Sequence, residues 1–164
     1  MKAVRFIERV LKIISSILFT ALIIVVFLQV MLRYFWSHPL AWSDELARLL
    51  LIWAASFGVT LIFYSPAGHP AVTFVLDKLP VRTRSIIEIC KNFGLAVLML
   101  YVGYYGVQYT IACHRFQSAV LHYPNSVKYA VFPIIMVLMA YKSIVDGVIH
   151  VKEMKKLYDG GEKK

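Results

Sequence analysis

The sequence has 164 residues, of which 60% are hydrophobic and 16% charged, with a formal net charge of +9. A single soluble core of this length does not hide so much apolar sequence behind so few charges, so the excess faces lipid. The 18 Lys and Arg residues avoid the apolar runs and gather in the N-terminal tail, a middle loop and the C-terminal tail, which fits membrane orientation better than a nucleic-acid partner.

In chain order, Lys2, Arg5, Arg9 and Lys12 precede an uncharged stretch from Ile13 to Leu32. At about 20 residues it exceeds the about 7 to 15 of a signal-peptide core, and no small-residue cleavage site follows, so a retained helix is expected. At about 1.5 Å per residue it crosses a hydrocarbon layer of about 30 Å. Arg33, Tyr34 and Trp36 then supply interfacial anchors, giving a first span over 13–34. Gln29 lies one turn before Arg33 on the same face, where the two can meet a neighbouring helix or a lipid headgroup.

Pro39 to Glu45 mixes apolar and acidic residues, so the segment 38–46 reads either as a short amphipathic helix along the surface, capped by Ser43 with Asp44 and Glu45 in its first turn, or as an extension of the second span. Trp42, Glu45 and Arg48 follow at three-residue steps, which lines them on one side and predicts a Glu45–Arg48 ion pair. A surface pair contributes only about 0 to 1 kcal/mol, so its use is in positioning, which is compatible with a helix that simply rests in the interface. The second span covers 46–64, with Arg48 snorkelling to the headgroups. Its Ala54 and Gly58 form a small-xxx-small step that predicts close packing, by default within the chain, otherwise on another subunit.

Residues 65 to 85, with Pro66, Gly68, Pro70 and Pro80, read as loop. The third span covers 86–113, is uncharged from Asn92 to Cys113, carries Tyr101, Tyr105 and Tyr109 on one face, and is thinned by Gly103 and Gly106. Cys90 and Cys113 are 23 residues apart on this helix, roughly 35 Å by helical rise. A disulfide needs α-carbons within about 7 Å, so they read as small apolar fillers. After His114, Arg115, His122 and Pro124, a last span covers 127–150 with a kink expected at Pro133, followed by a polar, frayed tail over 151–164. No internal repeat divides the chain, which reads as one all-α membrane domain, 1–164, with four transmembrane helices and one interfacial helix.

Alternate connecting segments carry fourteen and four of the Lys and Arg residues. The positive-inside rule therefore places both termini and the middle loop in the cytoplasm of an inner-membrane protein. A transporter that works alone holds its substrate near mid-membrane with ionisable residues or broken helices, yet the central parts of all four spans lack Asp, Glu, Lys, Arg and His. His69, His114 and His122 have no metal-ligand spacing, and there is neither a phosphate-binding glycine loop nor a nucleophile motif. Neither an enzyme nor a bound cofactor is expected. A stand-alone exporter or channel would need an embedded carboxylate or polar pore stripe, and a membrane thiol oxidoreductase would need paired outer cysteines.

Several residues together resemble the small four-helix membrane subunit, or Q subunit, of the tripartite ATP-independent periplasmic (TRAP) transporters. They are Arg33-Tyr34 closing the first span, Trp42-x-x-Glu45-x-x-Arg48 leading into the second, Trp53 and Gly58 within it, and His69 after it. Ser118, Leu121, Pro124, Tyr129 and Pro133 are similar to the family's segment around the start of the last helix. The likeness covers nearly the whole chain, with two departures: His122-Tyr-Pro is less apolar than the family pattern, and Asp44-Glu45 stands where paired glutamates are common. The resemblance implies that this chain is an accessory scaffold without a site of its own. A larger multi-spanning subunit would carry the sodium and substrate sites and move as an elevator. A periplasmic binding protein would deliver an organic anion such as a dicarboxylate, sialic acid or another sugar or keto acid. Gln29, Arg33, Trp42, Glu45, Arg48, Ala54 and Gly58 are then the residues expected to face the partner or lipid.

Overall fold

Residues 2–36 contain neither proline nor glycine, and nothing in them stops a helix once it has started. In the computed structural model, which describes residues 2–36, 41–65 and 81–161, this stretch is one helix, α1 (Lys2–Trp36). It is followed by α2 (Ala41–Tyr64), α3 (Val81–Ala112), a 3₁₀ turn (Cys113–Arg115), the short α4 (Ser126–Tyr129) and α5 (Val131–Gly161). Four segments are long and apolar enough to cross a membrane: Ala3–Phe35, Trp42–Tyr64, Thr83–Arg115 and Ser126–Lys152. The all-α, four-span architecture is thus as the hydropathy pattern predicts.

The differences lie at element ends. The basic residues before Ile13 continue α1 rather than forming a tail, and α5 runs on to Gly161 where fraying is expected. The segment 152–159 is built from good helix formers, and only Gly160-Gly161 supplies a C-terminal signal. The described part of the predicted surface helix, from Ala41 onward, is the beginning of α2, so Ser43 lies inside the first turn rather than capping it. Pro133 interrupts the backbone hydrogen bonds of the last span, which runs from Ser126 to Lys152 with Ala130 still in right-handed helical conformation. Its ring conflicts with the carbonyl four residues back, that of Tyr129, and it cannot donate to it. Accordingly α4 ends at Tyr129 and α5 begins anew at Val131, with Pro133 in a first turn that needs no donor there. Cys90 is exposed rather than a packed filler, and Cys113 is half-buried; both are free thiols. The side chain of Trp36, residues 38–40 of the predicted surface helix, the loop over 66–80 and His69 lie outside the described residues.

The helices pack in the spatial order α1, α2, α5, α3, with the broadest contacts between α1 and α2 and between α3 and α5. This is a row rather than a closed bundle. Lipid tails are as apolar as leucine, so membrane helices associate through close approach of small residues and interhelical hydrogen bonds. The buried positions follow that logic: Ala54, Ser56, Thr60, Ala96, Ala140 and Ser143 lie inside, whereas Ile23, Ile24, Phe27, Val97 and Val137 face outward. Gly103 and Gly106 bring α3 against α5. A Cβ at Gly103 would stand 3.3 Å from that of Met136, and one at Gly106 3.6 Å from Pro133 Cδ. Gly147 does the same from α5, 3.3 Å from Phe93 Cε2.

Candidate functional site: a carboxylate clamp at the loop end of the helix row

Chain direction alternates along the row, so one end collects the start of α2 and the loop from Cys113 to Asn125, and the other collects the start of α1, the end of α2, the start of α3 and the end of α5. At the first of these ends the loop folds back on itself. Ser118 N–H donates to the Tyr123 carbonyl at 2.9 Å, Asn125 N–H donates to the Phe116 carbonyl at 2.8 Å, and His122 makes the reversal with a φ of 55°. A turn this tight leaves the backbone amides at its tip without carbonyl partners, and these need an acceptor.

Glu45 supplies it. Its carboxylate accepts from the Ser118 hydroxyl, from Val120 N–H at 3.1 Å and from Leu121 N–H at 3.0 Å. A carboxylate that only accepts, from donors 73 to 76 residues away, is being used in its ionised form to pin the loop onto the head of α2. The predicted Glu45–Arg48 pair is therefore not formed: Arg48 donates to Asp44 at 2.6 Å across four residues, with both side chains largely exposed. The i,i+4 step presents Asp44 to Arg48 in good register and leaves Glu45 free to point at the loop.

Two further bonds finish this end. Trp53 Nε1–H donates to the Val127 carbonyl at 3.2 Å, tying the next turns of α2 to the start of α4. His114 Nδ1 is 3.0 Å from Ser126 Oγ. Trp42 is 38% exposed beside the clamp. Gln29 is half-buried and Arg33 exposed at the end of α1. Ala54 is buried, but a Cβ at Gly58 would meet nothing within 4 Å, so the small-xxx-small step packs at Ala54 only.

The opposite end holds a polar lock that the sequence pattern did not single out. Glu88, on α3 and buried, accepts from Arg84 Nε at 3.2 Å and pairs with His150 Nδ1 of α5 at 3.0 Å. The Arg84–Glu88 spacing was visible as an i,i+4 pair, but nothing local connects Glu88 to a histidine 62 residues on. Nearby, Lys142 and Asp146 pair at 2.5 Å, and Tyr64 O–H donates to the Leu138 carbonyl at 2.7 Å. A cleft of about 330 Å³ opens there between α1, α2 and α5, with Arg5, Glu8 and Asp146 on its walls. Among the described residues no cluster of three or more His, Cys, Asp or Glu is placed to hold a metal ion.

The clamp joins the residues on which the family resemblance rests, because Glu45 and Trp53 meet the segment around Ser118, Leu121 and Val127. The family described as tripartite ATP-independent periplasmic transporters, DctQ component, matches residues 22–152. This chain belongs to that family. TRAP small-permease relatives agree with the assignment. A TRAP transporter small permease protein of Haemophilus influenzae is 29% identical over 108 residues, 66% of this chain and 65% of that protein. The sialic acid TRAP transporter small permease protein SiaQ of Vibrio cholerae is 32% identical over 95 residues, 58% of this chain and 53% of that protein. The chain thus spans between about half and two thirds of these relatives' length. A longer relative, the sialic acid TRAP transporter permease protein SiaT of Haemophilus influenzae, is 21% identical over 151 residues, 92% of this chain but only 24% of that protein. The chain is thus a DctQ-family member with four helices long and apolar enough to cross a membrane.

Proposed function

We propose that this DctQ-family chain is the static scaffold of a TRAP transporter, bound in the cytoplasmic membrane to a larger permease that carries the substrate and the coupling sodium ion. The observation that carries this reading is the uncharged centre of every span in a member of a transporter family, since cargo with a carboxylate needs a polar or charged path. The longer relative supports the partner: one polypeptide there contains a region like this chain together with about three times as much further sequence. The names of the SiaQ and SiaT relatives support sialic acid or a similar organic anion as the substrate class; in this reading a periplasmic binding protein delivers it.

The fourteen-to-four division of Lys and Arg supports placing both termini, with the Glu88–His150 lock, on the cytoplasmic side. The Glu45 clamp then faces the periplasm. Its role, and that of Trp42 and Arg48 around it, is to fix the outer end of the wall. Gln29 and Arg33 at the end of α1 are placed to meet lipid headgroups or the partner. A row of four helices serves this purpose because a broad wall resists tilting beside a sliding neighbour, mismatch costing fractions of a kcal/mol per Å.

Affinity capture from native membranes in mild detergent tests the reading. A tagged copy of this chain is expected to retain a much larger membrane protein in fixed proportion. Recovery of a homo-oligomer with no second chain would instead favour a stand-alone exporter.

A further inference from the structure

The two outermost helices of the row are chemically unlike. On α1 the most exposed side chains along the span, Ile17, Phe19, Ile23, Ile24 and Phe27, carry no hydrogen-bonding group. On α3 the outer surface also carries apolar side chains, Val97, Leu98, Leu100 and Ile111, but between them it adds Tyr101, Tyr104, Tyr105 and Tyr109, between 51% and 61% exposed. Tyrosines facing lipid ordinarily sit at the headgroup level, where the hydroxyl reaches water. Tyr101, Tyr104 and Tyr105 do not: each lies about 12 Å or more of helical rise from either end of the uncharged segment Asn92–Cys113.

A phenol at that depth needs an acceptor, because hydrocarbon offers none. Tyr101 and Tyr105 meet edge to face with ring centroids 4.9 Å apart, and a hydrogen bond between their two hydroxyls would still leave one donor unused. Tyr104 packs its ring on Tyr105 at 5.5 Å, but its hydroxyl has no partner among the described residues. Beside these rings an apolar groove of about 380 Å³ runs between α3 and α5, floored by Gly106 and walled by Tyr105, Tyr109, Phe132 and Met136.

We propose that the tyrosine face of α3, with the groove beside Gly106, is the docking surface for a transmembrane helix of the larger permease that presents hydrogen-bond acceptors at mid-membrane, while the outer face of α1 meets lipid. This rests on the scaffold reading above and adds to it the face that is used. Hydrogen-bond complementarity selects protein over lipid as the occupant, since acyl chains fill a groove but satisfy no hydroxyl. A helix with backbone or hydroxyl acceptors does both.

Photo-crosslinking in native membranes tests it, with p-benzoylphenylalanine replacing Tyr104 in one variant and Phe27 in another, and co-purification of the larger permease followed in parallel. The proposal expects a covalent adduct with the permease from position 104 and none from position 27. The reverse pattern, or adducts from neither position while the permease still co-purifies, overturns the choice of face and leaves the scaffold reading intact. An adduct of two copies of this chain from position 104 also overturns it. Absence of the permease from both preparations removes the scaffold reading and this inference together.

Discussion

Glu45 holds the loop between α3 and α4 through three donors, whereas Arg48 only completes an exposed pair with Asp44. The two residues should therefore behave differently despite sharing a helix face. Glu45→Ala is expected to speed amide hydrogen exchange at Val120 and Leu121, with Glu45→Gln intermediate because an amide keeps one acceptor oxygen but loses the charge. Arg48→Ala should leave that exchange unchanged and alter stability by no more than about 0.5 kcal/mol. Equal effects of the two substitutions would contradict the clamp. At the other end, Tyr64→Phe removes the bond to the Leu138 carbonyl without opening space and should cost about 1 kcal/mol, read from thermal unfolding in detergent. The sequence made Glu45 conspicuous through its spacing to Trp42 and Arg48, but it pointed to the wrong partner. Helical spacing reports neighbours within an element; the true donors lie 73 to 76 residues away and become acceptor-seeking only after the loop turns at His122.

Among elements, the spans were legible because an uncharged run of about 20 residues has few other stable fates. Their ends were less so. Hydropathy marks where the membrane stops, while a helix continues until a proline, a glycine or a loss of propensity ends it, so α1, α3 and α5 all extend past their predicted spans. Glycine spacing likewise showed where close packing is possible without showing where it occurs. It occurs at Gly103, Gly106 and Gly147, between α3 and α5, and not at Gly58. Gly103→Leu should force α3 from Met136 and cost about 1 to 3 kcal/mol. Gly58→Ala should be neutral or slightly stabilising in the isolated chain, since the new methyl meets nothing and alanine favours the helix. The two variants can be compared by melting temperature in one detergent, and a loss at Gly58 equal to that at Gly103 would argue against the packing order described.

For the whole molecule, an open row of four helices exposes more apolar surface than a closed bundle would, and that surface is divided between lipid and protein by its chemistry. The row has hydrogen-bond locks at both ends and an uncharged middle, the distribution expected of a wall rather than of a pathway. The order α1, α2, α5, α3 was not legible in the sequence, because all four spans have apolar residues around their full circumference and no hydrophobic stripe identifies the neighbour.

Sodium-driven uptake into proteoliposomes tests the scaffold role most directly, with the larger permease and this chain reconstituted singly and together and the anion supplied on its periplasmic binding protein. Uptake should appear only when both membrane chains are present, and this chain alone should carry nothing. Full-rate uptake by the larger permease alone, or any sodium-dependent uptake by this chain alone, would show that the wall is dispensable or that it is the path.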